Sequence, residues 1–384
     1  MIWRPLMYQV VAISHDPTVL SLLKNYCQSS DLRWQLRVFP TPGSFLSAPS
    51  NHEQIDLLLF DSQSSASALE ERRLACFMAP LALRVVVTTP EHEDVVINHL
   101  SMFHSFVSRD LNYEHLTQLF ANAERLADLP LREHERHVIG KLTDYPVFPS
   151  ICTELRQLME NPKVGVPDVA KLVARDPLIV SRLLQLVNSP YMGFASETYS
   201  LETAISRLGF QLLQTLVLML TIKAQQEQQQ PELAQVLEQQ LAFAGECRQL
   251  AQQVRLSRVL QDQVYIAAIL SGFGKLILLR NGCTEDDVEL QPPASTAGQP
   301  DKQYVSYLAV SAFVLTLWGF DDSLVSTVLN QQQWRDGNLY QVSQCLWVAR
   351  MQQDNALLAQ DAEMHEKLRK SGYASLLPQV HSSA

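Results

Sequence analysis

Three short stretches near the middle of the chain decide its fold: ARDP at residues 174–177, LLQLVNSPY at residues 183–191 and SLETAISRLG at residues 200–209. Each stretch predicts a helix boundary. Asp176 is a preferred N-cap residue, and Pro177 suits the first turn of the helix that follows it. The Asn-Ser-Pro run that begins at Asn188 ends that helix. Gly209 ends a later one, because glycine adopts backbone conformations that other residues avoid.

Apolar residues around these stretches recur at helical spacing. Val180, Leu183, Leu184 and Val187 follow the i, i+3, i+4, i+7 pattern of one helix face. The segment 212–220 is apolar nearly all round, which predicts a core helix, and it falls well below the ~20 residues needed to span a bilayer. Strand-like runs disappear from residue 141 onward, so this part of the chain is predicted to be all-helical.

In their order and spacing the three stretches resemble the HDOD family, whose members carry D-P, N-S-x-Y and S-x-x-x-A-I-x-x-L-G. The resemblance covers residues 141–355 and implies an all-helical domain related to HD phosphohydrolases. The matching side chains have structural roles in setting helix ends and turns, and none is an evident catalytic acid, base or nucleophile. These positions are Asp176, Pro177, Asn188, Ser189, Tyr191 and Gly209.

The resemblance also predicts where hydrolase chemistry would lie, because HD enzymes hold metal ions with His and Asp ligands. The chain has ten histidines, but none lies between positions 138 and 364. The segment AILSGFGKL at 268–276 resembles the helix that carries the His-Asp pair, and here the pair reads Ser271-Gly272. Only carboxylates such as Asp262 and the pair 321–322 remain as conceivable ligands. We therefore expect no catalytic residue, no metal and no cofactor.

The first part of the chain alternates strand-like runs with helical segments. Strand-like runs lie at 9–13, 36–39, 55–60, 84–87 and 105–107. The run 55–60 is apolar except for Asp56, which predicts a strand buried on both faces. The helical spacing between several of the runs predicts a doubly wound parallel sheet. The predicted fold class is therefore α/β plus all-α.

Polar residues follow several of these strands, at the sheet edge where such folds place functional groups. Because of these residues, the segment 7–125 resembles a response-regulator receiver domain. Such a domain has a flavodoxin-like sheet. The resemblance makes Asp61 the phosphoacceptor and Thr88 the switch hydroxyl. It places Asp16 beside the acidic pair and Arg109 at the position of the usual lysine.

This segment departs from the receiver pattern at the residues that bind metal. The acidic pair reads Ser14-His15, and Asp110 stands where a proline usually follows the lysine. Phosphorylation of an aspartate requires Mg²⁺, which binds hard oxygen ligands. Two readings stay open: Asp61 is phosphorylated, or it is a polar strand end in a pseudo-receiver used for protein contacts. The missing acids favour the second reading.

Composition excludes several classes of protein. Residues 1–140 hold 11 basic and 16 acidic residues and the rest hold 19 and 24, so each part carries −5 of the net charge of −10. Nucleic-acid binding is not expected without a basic half. The six cysteines form no C-x-x-C pair, and the start of the chain lacks a signal-peptide pattern. We expect a cytoplasmic bacterial protein with no membrane span.

These observations predict a receiver-like domain at 1–125, a solvated helical linker at 126–140, the helical domain at 141–355 and a C-terminal extension at 356–384 with a disordered tail. The expected function is a non-catalytic signal-transduction adaptor that acts through protein–protein contacts, within a two-component or related system. Expected partners are a sensor kinase, a cyclic-dinucleotide enzyme or a regulator. The alternatives are a residual metal-dependent phosphohydrolase and a nucleotide-sensing module.

Overall fold

The computed structural model describes residues 7–29, 33–49, 54–62, 69–89, 102–142, 145, 149–161, 163–225, 231–283, 288–289, 305–353, 367–368 and 373. The tail predicted to be disordered lies outside these residues, as does most of the C-terminal extension. One residue of that extension, Tyr373, is buried against the helical domain, where its hydroxyl lies 3.2 Å from the Cys345 thiol.

A five-stranded parallel sheet forms the first domain, as predicted. Its strands stand in the order β2-β1-β3-β4-β5, which is the order of flavodoxin-like doubly wound folds. Every residue of β3 and β4 is buried, which agrees with their mostly apolar sequences. The strands are β1 Tyr8–Ile13, β2 Trp34–Phe39, β3 Leu57–Asp61, β4 Leu83–Thr88 and β5 Ser105–Ser108.

The helices of this domain flank the sheet. In the last of them, buried Leu116, Leu119, Phe120 and Ala123 show the spacing of one helix face. Phe120 packs edge-on against Trp34 of β2, with ring centroids 4.5 Å apart, and so joins the helix to the sheet. These helices are α1 Pro17–Ser29, α2 Pro42–Leu46, α3 Leu69–Met78 and α4 Tyr113–Asp128.

The predicted solvated linker at 126–140 is exposed along its polar stretch 132–134, but its leucines and its isoleucine are buried. The chain leaves the helical conformation at Leu129, because Pro130 lacks the N–H that a helix interior needs. A separate helix, α5 Glu133–Gly140, follows, and Ile139 on it is buried. Gly140 lies so close to the Pro80 carbonyl that a Cβ would not fit. The linker is therefore packed against the first domain.

The described residues after α5 are almost entirely helical, as predicted. All residues of two helices, α8 and α14, are buried, so these two form the centre of the domain. A short parallel pair, β6 Val288–Glu289 and β7 Val305–Ser306, interrupts the helices. The helices are α6 Pro149–Met159, α7 Val166–Val173, α8 Pro177–Val187, α9 Leu201–Leu208, α10 Phe210–Gln225, α11 Pro231–Gln253, α12 Arg258–Ser271, α13 Phe273–Arg280, α14 Tyr307–Leu317, α15 Asp322–Asn330 and α16 Gln341–Gln353.

One helical stretch, Arg258–Arg280, is long and apolar enough to cross a membrane by length and composition. It comprises α12 and α13, and 67% of its most apolar window is buried inside the protein. Burial of this kind is typical of core helices in a soluble domain, which pass the same test.

Candidate functional site

The structure brings the receiver-like residues together at the carboxyl edge of the sheet. Asp61 is the last residue of β3 and Thr88 the last of β4, while Ser14 and Asp16 follow β1. Arg109 directly follows β5. Parallel strands place their carboxyl ends on one edge, so residues far apart in sequence become neighbours.

Arg109 joins the two aspartates. Its Nη1 donates to Asp16 Oδ2 over 2.9 Å, and its Nη2 donates to Asp61 Oδ1 over 2.5 Å. The Asp61 side chain is only 1% exposed, whereas those of Arg109 and Asp16 are about a quarter and a fifth exposed. A permanently charged guanidinium thus neutralises both carboxylates in a partly buried setting.

The second oxygen of Asp61 is also occupied. The Ser14 hydroxyl donates to Asp61 Oδ2 over 3.0 Å, and it accepts the backbone N–H of Asp16 at the same distance. The hydrogen bond from the Thr18 backbone N–H to Asp16 and the nearby Arg109 charge lower the pKa of Asp16. Hydrogen bonds and charge therefore hold both carboxylates in place.

Thr88 lies beside this cluster but takes no part in it. Its side chain is fully buried, and its hydroxyl has no hydrogen-bond partner among the described residues. The receiver resemblance implies Mg²⁺ at this edge, and the residues present do not fit it. The two aspartates that could ligate the ion are already held by Arg109, whose charge repels a divalent cation.

Ser271 and Gly272 lie at the end of α12, inside the helical domain. The Ser271 hydroxyl donates to the Ala268 carbonyl over 2.7 Å, as serines in helices often do. The Gln240 side-chain amide donates to the same hydroxyl over 3.2 Å and also to the Ala268 carbonyl. The amide of Gln240 packs closely on Gly272, so a Cβ there would require the Gln240 side chain to move.

Arg350 of α16 supplies a positive charge at this position. Its Nη2 lies 3.5 Å from Ser271 Oγ, and its Nε donates to Gln331 Oε1 over 2.7 Å. Its guanidinium also stacks over the Phe243 ring at 4.4 Å. The position where HD enzymes hold a metal is thus filled by an arginine and by amides, which do not bind a metal cation in place of imidazole and carboxylate.

Two of the other candidate carboxylates already pair with arginines. Asp262 lies within 3.4 Å of Arg248 and 3.6 Å of Arg258, and Asp322 lies 3.0 Å from Arg125. In the part of the chain that the structure describes, no group of three His, Cys, Asp or Glu side chains could hold a metal ion. The metal of HD hydrolases therefore does not fit these residues.

The family-like stretches act as the sequence predicts. Asp176 caps α8 by accepting the backbone N–H groups of Leu178 and Ile179. Asn188 ends α8, and its side-chain amide exchanges two hydrogen bonds with the backbone of Thr198. Gly209 adopts a φ of +80°, which favours glycine, at the corner between α9 and α10. Pro190 and Tyr191 lie in a short 3-10 turn that contacts β5 of the first domain.

The sequence did not predict a buried chain of hydrogen bonds between the two domains. Gln185 Nε2 donates to the His104 carbonyl over 2.6 Å, and Arg182 Nη1 donates to Gln185 Oε1 over 2.7 Å. The Arg182 guanidinium lies 4.1 Å from the Trp318 ring centre. Burial lowers the pKa of Arg182 to about 10. The signal available in the sequence was Arg182 and Gln185 on a helix whose other residues, apart from Ser181, are apolar.

Comparisons with known proteins agree with this geometry. Residues 145–334 match the family model of the HDOD domain. An uncharacterized protein of Treponema pallidum (strain Nichols) is 32% identical over 80 residues, which make up 21% of this chain and 16% of the relative's length.

Two solved structures are among those that match this chain. The MmoQ response regulator of Methylococcus capsulatus (strain Bath) is 21% identical, with a TM-score of 0.44, and the match covers 61% of this chain and 97% of that one. An HDOD domain protein of Geobacter sulfurreducens is 16% identical, with a TM-score of 0.25, over 62% of this chain and 79% of that one.

Proposed function

Since this chain contains an HDOD domain, we propose that it acts as a non-catalytic adaptor in bacterial signal transduction. The helical domain contacts partner proteins, and the receiver-like domain tunes these contacts without being phosphorylated. The proposed setting is the cytoplasm, and the proposed partners are a sensor kinase, a cyclic-dinucleotide enzyme or another regulator.

The observation that carries the proposal is the arginine at the metal position. Metal-dependent hydrolysis needs a cation that lowers the pKa of a bound water. Arg350 and Gln240 occupy that position around Ser271, and a guanidinium opposes metal binding by charge. In place of a metal site, Gln240, Ser271 and Arg350 form a hydrogen-bonded cluster that joins α11, α12 and α16. This cluster stabilises the helical domain.

The first domain also has an arginine where the family that it resembles would bind a metal ion. Arg109 occupies the carboxylates of Asp16 and Asp61, where a receiver would hold Mg²⁺. Two sites that would use divalent cations thus contain arginines instead. This parallel supports a protein whose output is a binding surface rather than a reaction.

Catalysis is tested by metal loading. The full chain is purified after growth with Mn²⁺, Fe²⁺ and Zn²⁺, and its metal content and its turnover of a phosphodiester are measured. The adaptor function predicts neither bound metal nor turnover. Stoichiometric metal together with turnover that a chelator abolishes would establish the hydrolase alternative.

Partner contacts are tested by affinity purification from the native cell, comparing the wild type with Asp61→Ala. The expected result is a specific partner set that both proteins share, because phosphorylation of Asp61 is not the switch. The opposite result would be a partner that binds only the wild type, and only when Asp61 is phosphorylated. That result would contradict the proposal that the receiver-like domain acts without phosphorylation.

A further inference from the structure

A cleft of about 270 Å³ lies between the two domains. Its walls come from α4 of the first domain, from the segment after α8, and from the turn between α14 and α15. A pocket at a domain junction is a common position for a small-molecule site. The volume suits a small ligand or a single side chain.

The side chains around the cleft carry an excess of negative charge. Among the described residues, Glu197, Asp321 and Asp322 contribute three carboxylates, and Arg125 is the one arginine or lysine that lines the cleft. That arginine is already engaged, because its Nε lies 3.0 Å from Asp322 Oδ1. Burial and the neighbouring Asp321 raise the pKa of Glu197 to about 7, although the residue as a whole is exposed. The cleft therefore favours a positive charge near Glu197 and Asp321.

Unused polar atoms and aromatic rings complete the lining. The Tyr199 hydroxyl and His115 Nδ1 are buried and have no hydrogen-bond partner among the described residues. A buried polar atom without a partner costs free energy, which a bound ligand can recover. Trp318 and Phe320 also line the cleft. Both are buried, and the Arg182 guanidinium already lies over the Trp318 ring, so these residues contribute an apolar wall and no further attraction for a cation.

We propose that this cleft binds a small organic cation that carries an ammonium group. The carboxylates of Glu197 and Asp321 supply the charge, Tyr199 and His115 supply hydrogen-bonding atoms, and the aromatic residues supply an apolar wall. A metal ion fits less well, because no cluster of three metal-ligating side chains exists in the part of the chain described. The ligand would contact both domains, so its binding would stabilise their present arrangement. The site is independent of the proposed adaptor function.

The test uses two ammonium probes on the full chain, putrescine and choline, in isothermal titration calorimetry at fixed ionic strength. The matched neutral probes are butanediol and the carbon isostere of choline. We expect saturable binding of at least one cation at millimolar concentration, and none of its neutral partner. Glu197→Gln should weaken binding about tenfold, and Asp321→Asn, which keeps a capping side chain for α15, should have a similar effect.

The control variant is Glu238→Gln, which removes the same charge from an exposed position on α11. It should leave the affinity unchanged, and the circular dichroism of all three variants should match the wild type. The proposal is overturned if neither cation binds, if the neutral probes bind equally well, or if the variants at positions 197 and 321 bind like the control. Failure of this proposal would not contradict the adaptor function, because partner capture tests that function in a separate experiment.

Discussion

The guanidinium of Arg109 donates to the carboxylate of Asp61 over 2.5 Å, across the edge of the sheet and between residues 48 positions apart. In the receiver pattern this position holds a lysine, and the aspartate also faces a metal ion. Here one arginine reaches Asp61 and Asp16 together, so it takes over the charge neutralisation that the metal would provide.

Removal of Arg109 should destabilise the first domain. Arg109→Gln leaves the buried Asp61 carboxylate without its cation, and we expect a loss of about 2–3 kcal/mol in the free energy of unfolding. Chemical denaturation measures this loss. The double variant Arg109→Gln/Asp61→Asn should recover much of it, since the unpaired charge is gone. Arg73→Gln, at an exposed ion pair with Glu70, should cost less than about 0.5 kcal/mol. Equal losses for the two arginines would contradict the structural role of Arg109.

Restoring the receiver-like ligands should restore metal binding. The variant Ser14→Asp/His15→Asp/Arg109→Lys recreates the acidic pair and the lysine of the pattern, so we expect it to bind Mg²⁺ and to accept a phosphoryl group from acetyl phosphate. Intact-mass spectrometry detects the added group, and the further change Asp61→Ala should abolish it. The wild type should remain unmodified under the same conditions. Phosphorylation of wild-type Asp61 would mean that Arg109 does not block the site.

Close packing of α13 on α14 should make Gly274 intolerant of a side chain. A Cβ at this position would lie 2.7 Å from the Ser311 backbone nitrogen and closer still to the Tyr307 carbonyl. Gly274→Ala should therefore destabilise the helical domain by about 3 kcal/mol in thermal or chemical unfolding. Gly245→Ala is the matched control, because it adds a methyl group to α11 with nothing within 4 Å. We expect it to stabilise by about 0.5–1 kcal/mol, and destabilisation by both changes would refute the packing argument.

The cleft carboxylate should make stability depend on pH. The pKa of Glu197 is raised from 4.5 to about 7, so the native state keeps a proton that the unfolded state has already released. The wild type therefore loses stability as the pH rises from 4.5 to about 7, and the penalty persists above this range. Glu197→Gln should raise the Tm relative to the wild type at higher pH and match it below pH 4.5. A Tm difference that does not change with pH would rule out this titration.

Much of the local structure was predictable because caps and spacing act within a few residues. Asp176 and Ser200 cap the starts of helices, and Gly209 ends one, at the positions where the sequence predicts helix boundaries. The five strands lie within about two residues of their predicted positions. The helix predicted through 126–140 was the clearest failure. Its polar surface indicated solvent, but Pro130 divides it and Ile139 packs inward.

The candidate sites were less predictable. Sequence comparison located Ser271-Gly272 and Asp61, since a motif marks each position. It did not indicate what would surround them, because Arg350 lies 79 residues from Ser271 along the chain. The hydrogen bond from Gln185 to His104 spans 81 residues, and no motif marks it.

From its residues alone, this chain is an α/β domain joined to a helical domain whose segment 138–364 contains no imidazole, because composition and periodicity do not depend on folding. Folding decided the rest. Charge neutralisation by Arg109, the hydrogen bonds of Arg350 with Gln331 and Ser271, and the cleft between the domains all require side chains from distant segments to meet. Such meetings depend on how helices and strands pack, which no local pattern encodes.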